Sequence, residues 1–318
     1  MLIWCFFKGL FSMRKILIPL SIIVAMVWPV QSWSQSCDEQ NIKLQVLGSG
    51  GPELTDGRVS SSHLIWVNNK ATVLIDAGSG SAHQFEKAKA KSEDLKAILL
   101  THLHVDHSAD IPAYIKDSYF TRRKTDLWVM GPQGNDLMPD TSAYLDQMFG
   151  QNGAYGYLKN YWLSEVRGRF KIKAVDAPLD HHQVQHHTMI DGIKLSSIGV
   201  HHGPISAVGW RVDIGDCALT FSGDMTNKFN SLATLAQGSD VLVANNTIEE
   251  ASTEAAKNMH IVPSEIGKIA AHAVVKKLLL AHFMNRSLPH QQQAVALIQK
   301  SYQGPVVLAE DLMLIDFE

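Results

Sequence analysis

The stretch LLTHLHVDHSAD, residues 99–110, sets three histidines and an aspartate within six positions, directly after the apolar run KAILL that reads as a buried strand. His102 and His104 stand two apart at the mouth of that strand, where alternate residues point the same way, and Asp106 and His107 follow in the turn. Imidazole nitrogens and carboxylate oxygens are donors that suit Zn²⁺, which takes about four of them. One cluster cannot close two metal sites, so the remaining donors must come from elsewhere. The later chain offers them at strand ends: GVHHGP carries His201 and His202, LTFSGD carries Asp224, and LLLAHF carries His282. Donors at the ends of several strands converge on one edge of a sheet.

Working outward, short apolar strands alternate with amphipathic helices. Strands are expected near 43–48, 63–68 and 72–76, a helix near 82–90, and then the strand that precedes the cluster. SADIPAYIKDSYF has helical spacing and DLWVMGP reads as a strand. Residues 132–182 form a mixed, partly helical, aromatic-rich insertion. From 184 the strands IKLSSIGV, SAVGWRVDI, CALTFSGD and DVLVANN follow in quick order. Helices near 263–274 and 289–299 bracket KKLLLAHF, and VVLAEDLMLIDF closes the chain. The class is α/β, and two strand-rich halves each followed by helices suit two sheets packed face to face with helices outside.

The bulk numbers narrow the function. With 318 residues, 46% of them apolar, residues 35–318 can build one catalytic-sized domain. A net charge of -3 gives no global field to gather a polyanion, so a nucleic-acid partner is not expected. Arg14 and Lys15 precede ILIPLSIIVAMVWPV and then QSWSQS, the order of a secretory signal peptide over residues 1–34, cleaved after Ser34. The run is short for a membrane span and holds Pro19 and Pro29, so no stable anchor is expected. Export would place the mature chain in the periplasm or outside the cell. Cys5 would leave with the leader, and Cys37 and Cys217 then either pair, as an oxidising compartment permits, or stay free. SWSQSC lacks the aliphatic residue expected of a lipoprotein site.

The assembly resembles the metallo-β-lactamase superfamily, whose HxHxDH motif is matched by HLHVDH and followed by the ordered His, Asp and His of the later strands. The resemblance covers residues 43–318. It implies an αββα four-layer sandwich of two mixed β-sheets flanked by helices, and a dinuclear zinc site. By that resemblance His102, His104 and His202 hold the first Zn²⁺, Asp106, His107 and His282 the second, and Asp224 bridges them. His202 is preferred to His201 because in related sequences the ligand stands directly before a Gly-Pro-like turn. Lone histidines such as His63, His83 and His272 are read as ordinary hydrogen-bonded residues, and His181, His182, His186 and His187 of DHHQVQHH as an exposed loop.

Two metals can share a water and lower its pKa toward neutrality, so hydrolysis at an ester-like centre follows, with Asp106 and Asp224 at the reacting water. Asp224 also counts against β-lactam hydrolysis, since the β-lactamases typically carry Cys or Ser there. LGSGGPELTDGRVSSSHLIW, LIDAGSG, HHGPISAVGWRVD, FSGDMT and LLLAHF look like the arylsulfatase-like and tRNA 3′-processing branches. Export and the lack of a basic, Gly-rich arm favour the arylsulfatase-like reading: an exported hydrolase of small anionic sulfate or phosphate esters. A lactone or carboxylic-ester hydrolase, a cyclic-nucleotide phosphodiesterase and a metal-binding relative without turnover are the alternatives. A homodimer is left open. His260, in NMHIVPSE, matches a position where the tRNA-processing branch has a histidine that assists the leaving group. Asn245 and Asn246 stand where related sequences often carry His-Glu. Arg122, Arg123 and Lys124 read as a solvated face rather than a substrate contact, and Tyr157, Tyr161 and Trp162 as helix packing rather than a lid.

Overall fold

The computed structural model describes residues 9, 37, 41–121, 123–163, 168–315 and 317. Apart from Gly9, the expected leader lies outside the described residues. Gln35–Glu318 form one compact unit.

Fourteen strands and nine α-helices follow along the described chain. They run β1 (Ile42–Gly48), β2 (Ser62–Val67), β3 (Lys70–Ile75), α1 (Ser81–Lys87), β4 (Ala97–Leu99), α2 (Val105–Ser108), α3 (Ile111–Phe120), β5 (Leu127–Pro132), α4 (Thr141–Phe149), α5 (Lys159–Trp162) and β6 (Ile172–Ala177). Then come β7 (Gln185–His186), β8 (Ile193–His202), β9 (Ile205–Ile214), β10 (Cys217–Phe221), α6 (Ser231–Leu235), β11 (Val241–Asn245), α7 (Glu254–Lys257), α8 (Pro263–His272), β12 (Lys277–Ala281), α9 (Gln291–Ile298), β13 (Val306–Leu308) and β14 (Leu314–Ile315).

Two mixed sheets result, in the orders β14-β1-β2-β3-β4-β5-β6 and β13-β12-β11-β10-β9-β8-β7. Local chemistry sets the first hairpin: Asn68 and Asn69, with φ of 52° and 60°, make the two-residue turn between β2 and β3 that requires positive φ at both positions. Strands β3 to β6 are parallel, as are β10 to β13.

The strands' period of two sorts their side chains into layers. Val73, Ile75 and Leu99 join the cluster between the sheets, with Val208, Trp210 and Phe221 of the second sheet. Their neighbours Leu74, Ile98 and Leu100 turn the other way, against Phe85 of α1, Ile111 and Ile115 of α3 and Leu145 of α4. On the far side Leu232 of α6, Ile266 and Ile269 of α8 and Ile298 of α9 cover the second sheet. The layers are thus helix, sheet, sheet, helix, as expected. Each fully buried Leu, Ile or Phe in them is worth roughly 1.5–3 kcal/mol relative to exposure. Trp210 also donates its indole Nε1–H to Leu100 O at 2.8 Å, tying β9 to the end of β4.

Strand β6 lies inside the stretch expected to be mixed and partly helical. Lys173 and Asp176 interrupt its apolar pattern, which an edge strand tolerates because its outer side meets water. Between β5 and β6 lie α4 and α5, where Tyr161 is buried, Trp162 donates to Asp146 and Tyr157 is exposed. Cys37 and Cys217 are joined as a disulfide with Cα atoms 5.0 Å apart, which decides between the two alternatives for these thiols.

Candidate metal centre

Topology brings the strand-end residues together. β3, β4, β8, β10 and β12 all end at the same edge, and each passes into a turn carrying a donor or its support. After β4, Thr101 and His102 lead to His104, whose carbonyl accepts from His107 N at 3.0 Å, and α2 carries Asp106 and His107 inward. β8 ends on His202. After β10, Gly223 turns at φ 59° against Thr101, leaving no room for a Cβ and presenting Asp224. His282 follows β12 at φ 57°, an uncommon conformation for a non-glycine residue.

The donors form two groups. His102, His104 and His202 lie together, with one donor atom from each within 4.8 Å of the others, and Asp106, His107 and His282 make a second such triad. Asp224 stands between them. Its Oδ2 is 3.8 Å from His202 Nε2 and its Oδ1 is 3.3 Å from His282 Nε2 and 4.0 Å from His107 Nε2. His260 joins on the outer side, its Nδ1 3.6 Å from Asp224 Oδ2. His201 points elsewhere, to Thr226 Oγ1 at 2.9 Å, so His202 is the histidine in the group.

The outer nitrogens are anchored. His107 Nδ1 donates to Asp76 Oδ2 at 2.7 Å, and Asp76 also accepts from Thr101 N at 2.7 Å and Thr101 Oγ1 at 2.9 Å. His202 Nδ1 donates to Met259 O at 2.7 Å, and His282 Nδ1 meets Thr247 Oγ1 at 3.1 Å. Asn245 Nδ2 donates to Asp224 Oδ1 at 2.8 Å, so the residue that departs from the family's usual His steadies the central carboxylate. Such partners fix tautomer and ring orientation at a metal site. Asp76, Thr101 and Thr247 were not singled out in the sequence. Asp76 was findable, because LIDAGSG ends a buried strand in a small-residue turn, the pattern used to find the other donors.

These residues fit a divalent metal. His202 Nε2 and His260 Nδ1 are buried with no hydrogen-bond partner. His107 Nε2 and His282 Nε2 face each other at 3.0 Å, as do His102 Nε2 and His104 Nδ1. Burial, then the neighbouring imidazoles, hold His102 well below the ordinary histidine pKa, and burial likewise lowers His104 and His202. All three are therefore neutral imidazoles, the form that can take a metal. Burial pushes Asp106 up, but His107 and His282 outweigh it and bring the carboxyl to about 2. Asp224, against the same opposing burial, is held well below its ordinary value by His282 and His260. Despite burial, His107 is raised to about 10 by Asp76 and Asp106, and His282 is raised by Asp224 and Asp106. The carboxylates therefore demand positive charge in this space. Two protons on Nε2 atoms 3.0 Å apart would clash, whereas a metal ion satisfies both.

Other expected residues lie away from the centre. Arg123 is buried, donating to the carbonyls of Ser92, Leu95 and Asp126, and so is neither solvated nor in contact with substrate. Lys124 is exposed, and Arg122 lies outside the described residues. His63 is buried with its Nε2 unpartnered, contrary to the hydrogen-bonded reading, while His83 is an exposed partner of Glu86. The DHHQVQHH segment is only partly an exposed loop: His186 and His187 bond Ser196 and Ser197 on β8, and His181 stacks on Phe229.

The metallo-β-lactamase superfamily model matches residues 55–265. The ribonuclease Z of Methanosarcina acetivorans is 24% identical over 307 residues, covering 86% of this chain and 97% of its own length. That of Latilactobacillus sakei is 27% identical over 284 residues, covering 78% and 88%. Among solved structures, human tRNase Z, short form, superposes with a TM-score of 0.64 at 20% identity over 87% of this chain and 99% of its own. The metallo-β-lactamase fold protein YhfI from Bacillus subtilis gives 0.64 at 18% identity over 86% and 98%. These relatives overturn two expectations. The exported arylsulfatase-like hydrolase of small anionic esters is not supported, because the similar proteins are ribonucleases. The exclusion of nucleic acid falls with it: net charge is a whole-molecule quantity and says nothing of one open edge. The fold, the matched family model and the grouped donors make this chain a member of the metallo-β-lactamase superfamily and a metal-dependent hydrolase, similar to the ribonuclease Z relatives.

Proposed function

We propose that this edge hydrolyses a phosphodiester bond in an RNA strand, with two zinc ions per chain as the resident metals. The observation that carries the reading is the placing of Asp224, with one oxygen toward each triad and His260 beside it. The ribonuclease Z relatives supply the substrate class. Five imidazoles and two carboxylates are a donor set that suits zinc. When bound, such ions lower the pKa of water toward neutrality and polarise phosphoryl oxygens.

The protein's own residues do the rest. His102, His104 and His202 would hold one ion, Asp106, His107 and His282 the other, and Asp224 both. Asp76, Met259, Thr247 and Asn245 keep those donors aimed. Asp106 and Asp224 stay ionised at neutral pH and would stand as carboxylates beside the attacking water. His260 is half-buried beside Asp224, and burial, outweighing the pull of that carboxylate, lowers its pKa to about 4. It therefore stands neutral at pH 7 and would take the proton of the attacking water and pass it to the leaving oxygen, since an alkoxide leaves poorly without one. The test is cleavage of a labelled single-stranded RNA by zinc-loaded protein, beside an aryl sulfate. RNA cleavage that disappears in Asp224→Ala, with the sulfate untouched, is the expected result. Turnover of the sulfate alone would refute the reading.

For the location we propose the periplasmic or secreted setting expected from the leader. The Cys37–Cys217 disulfide supports it, because such bonds persist in oxidising compartments. Recovery of the chain only in the cytoplasm, with both thiols reduced, would count against it.

A further inference from the structure

A second recess opens on the metal-bearing edge, beside His202. It is a cavity of about 210 Å³ where four chain segments meet: the loop after β5, the loop after β6, the tip of the β8–β9 hairpin and the loop following Asp224. Three rings in its lining, those of His181, His201 and Phe229, pack on one another. Phe229 and His181 lie nearly parallel, with centroids 3.9 Å apart and planes at 22°, and His201 meets the same phenyl ring edge-on at 5.6 Å and 80°. The pile is built rather than accidental. Gly199 N donates to Asp180 O at 2.7 Å, pinning the His181 loop to β8, and a Cβ on Gly199 would come within 2.8 Å of His181 Nδ1. Of the polar groups in the lining, Asn135 donates to Pro204 O and accepts from Leu137 N and Met138 N, and His201 Nδ1 is taken by Thr226, whereas His181 Nδ1 and Ser206 Oγ are buried without a partner. Lys228 stands next to the cavity, exposed, its Nζ 5.5 Å from the Phe229 centroid and 3.4 Å from His201 Nε2.

We propose that this cavity receives the base of the nucleotide next to the bond that is cut, stacked on the Phe229–His181 pile, with Lys228 on the adjoining phosphate. The inference rests on the phosphodiester reading above and gives it a substrate subsite. A flat heteroaromatic ring extends a pile of rings, whereas a sugar or an alkyl chain does not. The volume is below the ~300–1,000 Å³ of a drug-sized pocket, which suits one ring system. The subsite holds a base by its face, as stacking platforms do, and leaves His181 Nδ1 and Ser206 Oγ, both buried without a partner, to meet its edge. Sharing a wall with His202 places the base one linkage from the reacting phosphorus.

The experiment uses the zinc-loaded full chain and a single-stranded RNA whose cleaved bond has been mapped, together with the same strand carrying an abasic ribose on either side of that bond in turn. In the wild type, loss of the base at one of the two positions lowers kcat/KM at least about tenfold. Phe229→Ala and His181→Ala cut the intact strand at the abasic rate and no longer distinguish the two, while Phe229→Tyr keeps the preference. Metal content and Tm of each variant, equal to the wild type's, show that the centre and the fold are intact. Should a variant misfold, the Phe229→Tyr and wild-type pair with His181→Phe, which keeps a ring in place, still decides the matter. Equal rates on intact and abasic strands in the wild type, or an undiminished base preference in correctly folded Phe229→Ala, would overturn the proposal. A wild type that cuts no RNA at all would instead overturn the phosphodiester reading on which it rests.

Discussion

At the scale of single residues, the centre divides into donors and the groups that aim them. Asp76 touches no metal position, yet it holds His107, Thr101 N and the Thr101 hydroxyl at once. Asp76→Asn should lower metal affinity or activity by about 10–100-fold, the range for partners of this kind, and a metal titration against a chelator checks it. An unchanged affinity would show that Asp76 is only a fold contact. His260 makes a sharper test. If it delivers a proton to the leaving oxygen, His260→Ala should cost about 10²–10⁴ on RNA, where an alkoxide departs, and far less on bis(p-nitrophenyl) phosphate, whose leaving group needs no proton. A uniform loss on both would instead make His260 part of the metal-holding set. The seven candidate donors could be picked out in the sequence because His102, His202, Asp224 and His282 follow the ends of buried strands, which local pattern sets, and His104, Asp106 and His107 complete the HLHVDH cluster after the first of them. Asp76 was legible by the same rule but overlooked. Thr247, Asn245 and the Met259 carbonyl were not, since their contacts cross between segments that only the finished fold brings together.

At the scale of elements, the buried His63 on β2 and Arg123 beyond α3 show how polar side chains are used away from the site. Burial holds His63 near a pKa of about 3, against 6.5 in the unfolded chain. The folded state thus stays neutral there while the unfolded state gains a proton, so stability present above pH 6.5 is lost as pH falls toward 3. Urea midpoints at neutral and mildly acid pH should show that loss, and His63→Leu should lessen it; an identical slope in the variant would contradict the assignment. Arg123 closes three carbonyls, so Arg123→Ala should destabilise the fold by about 2–4 kcal/mol without changing metal content. The strands were readable wherever a run is buried on both faces, as in KKLLLAHF. β6 was not, because an edge position relaxes the pattern, and Arg123 was misjudged because a charge run does not say which of its members turns inward.

At the scale of the whole molecule, two layered sheets exist to hold one open edge. The Cys37–Cys217 bond closes a loop with a sequence separation of 180, so replacing both cysteines by serine should cost about 2–5 kcal/mol, read from denaturant midpoints. The four layers were legible because HLHVDH and its partners match one family pattern, whereas the order of strands within each sheet was not read from the sequence. The substrate was not, since whole-chain charge and an expected leader bear on the protein's surroundings rather than on the shape of its site. The most direct measurement of the central claim is the rate of RNA cleavage by metal-free protein as zinc is added back. The account predicts a rate that rises until about two ions are bound per chain and no cleavage at any loading in Asp224→Ala. Binding of two ions with no cleavage of RNA, or full cleavage without metal, would contradict it.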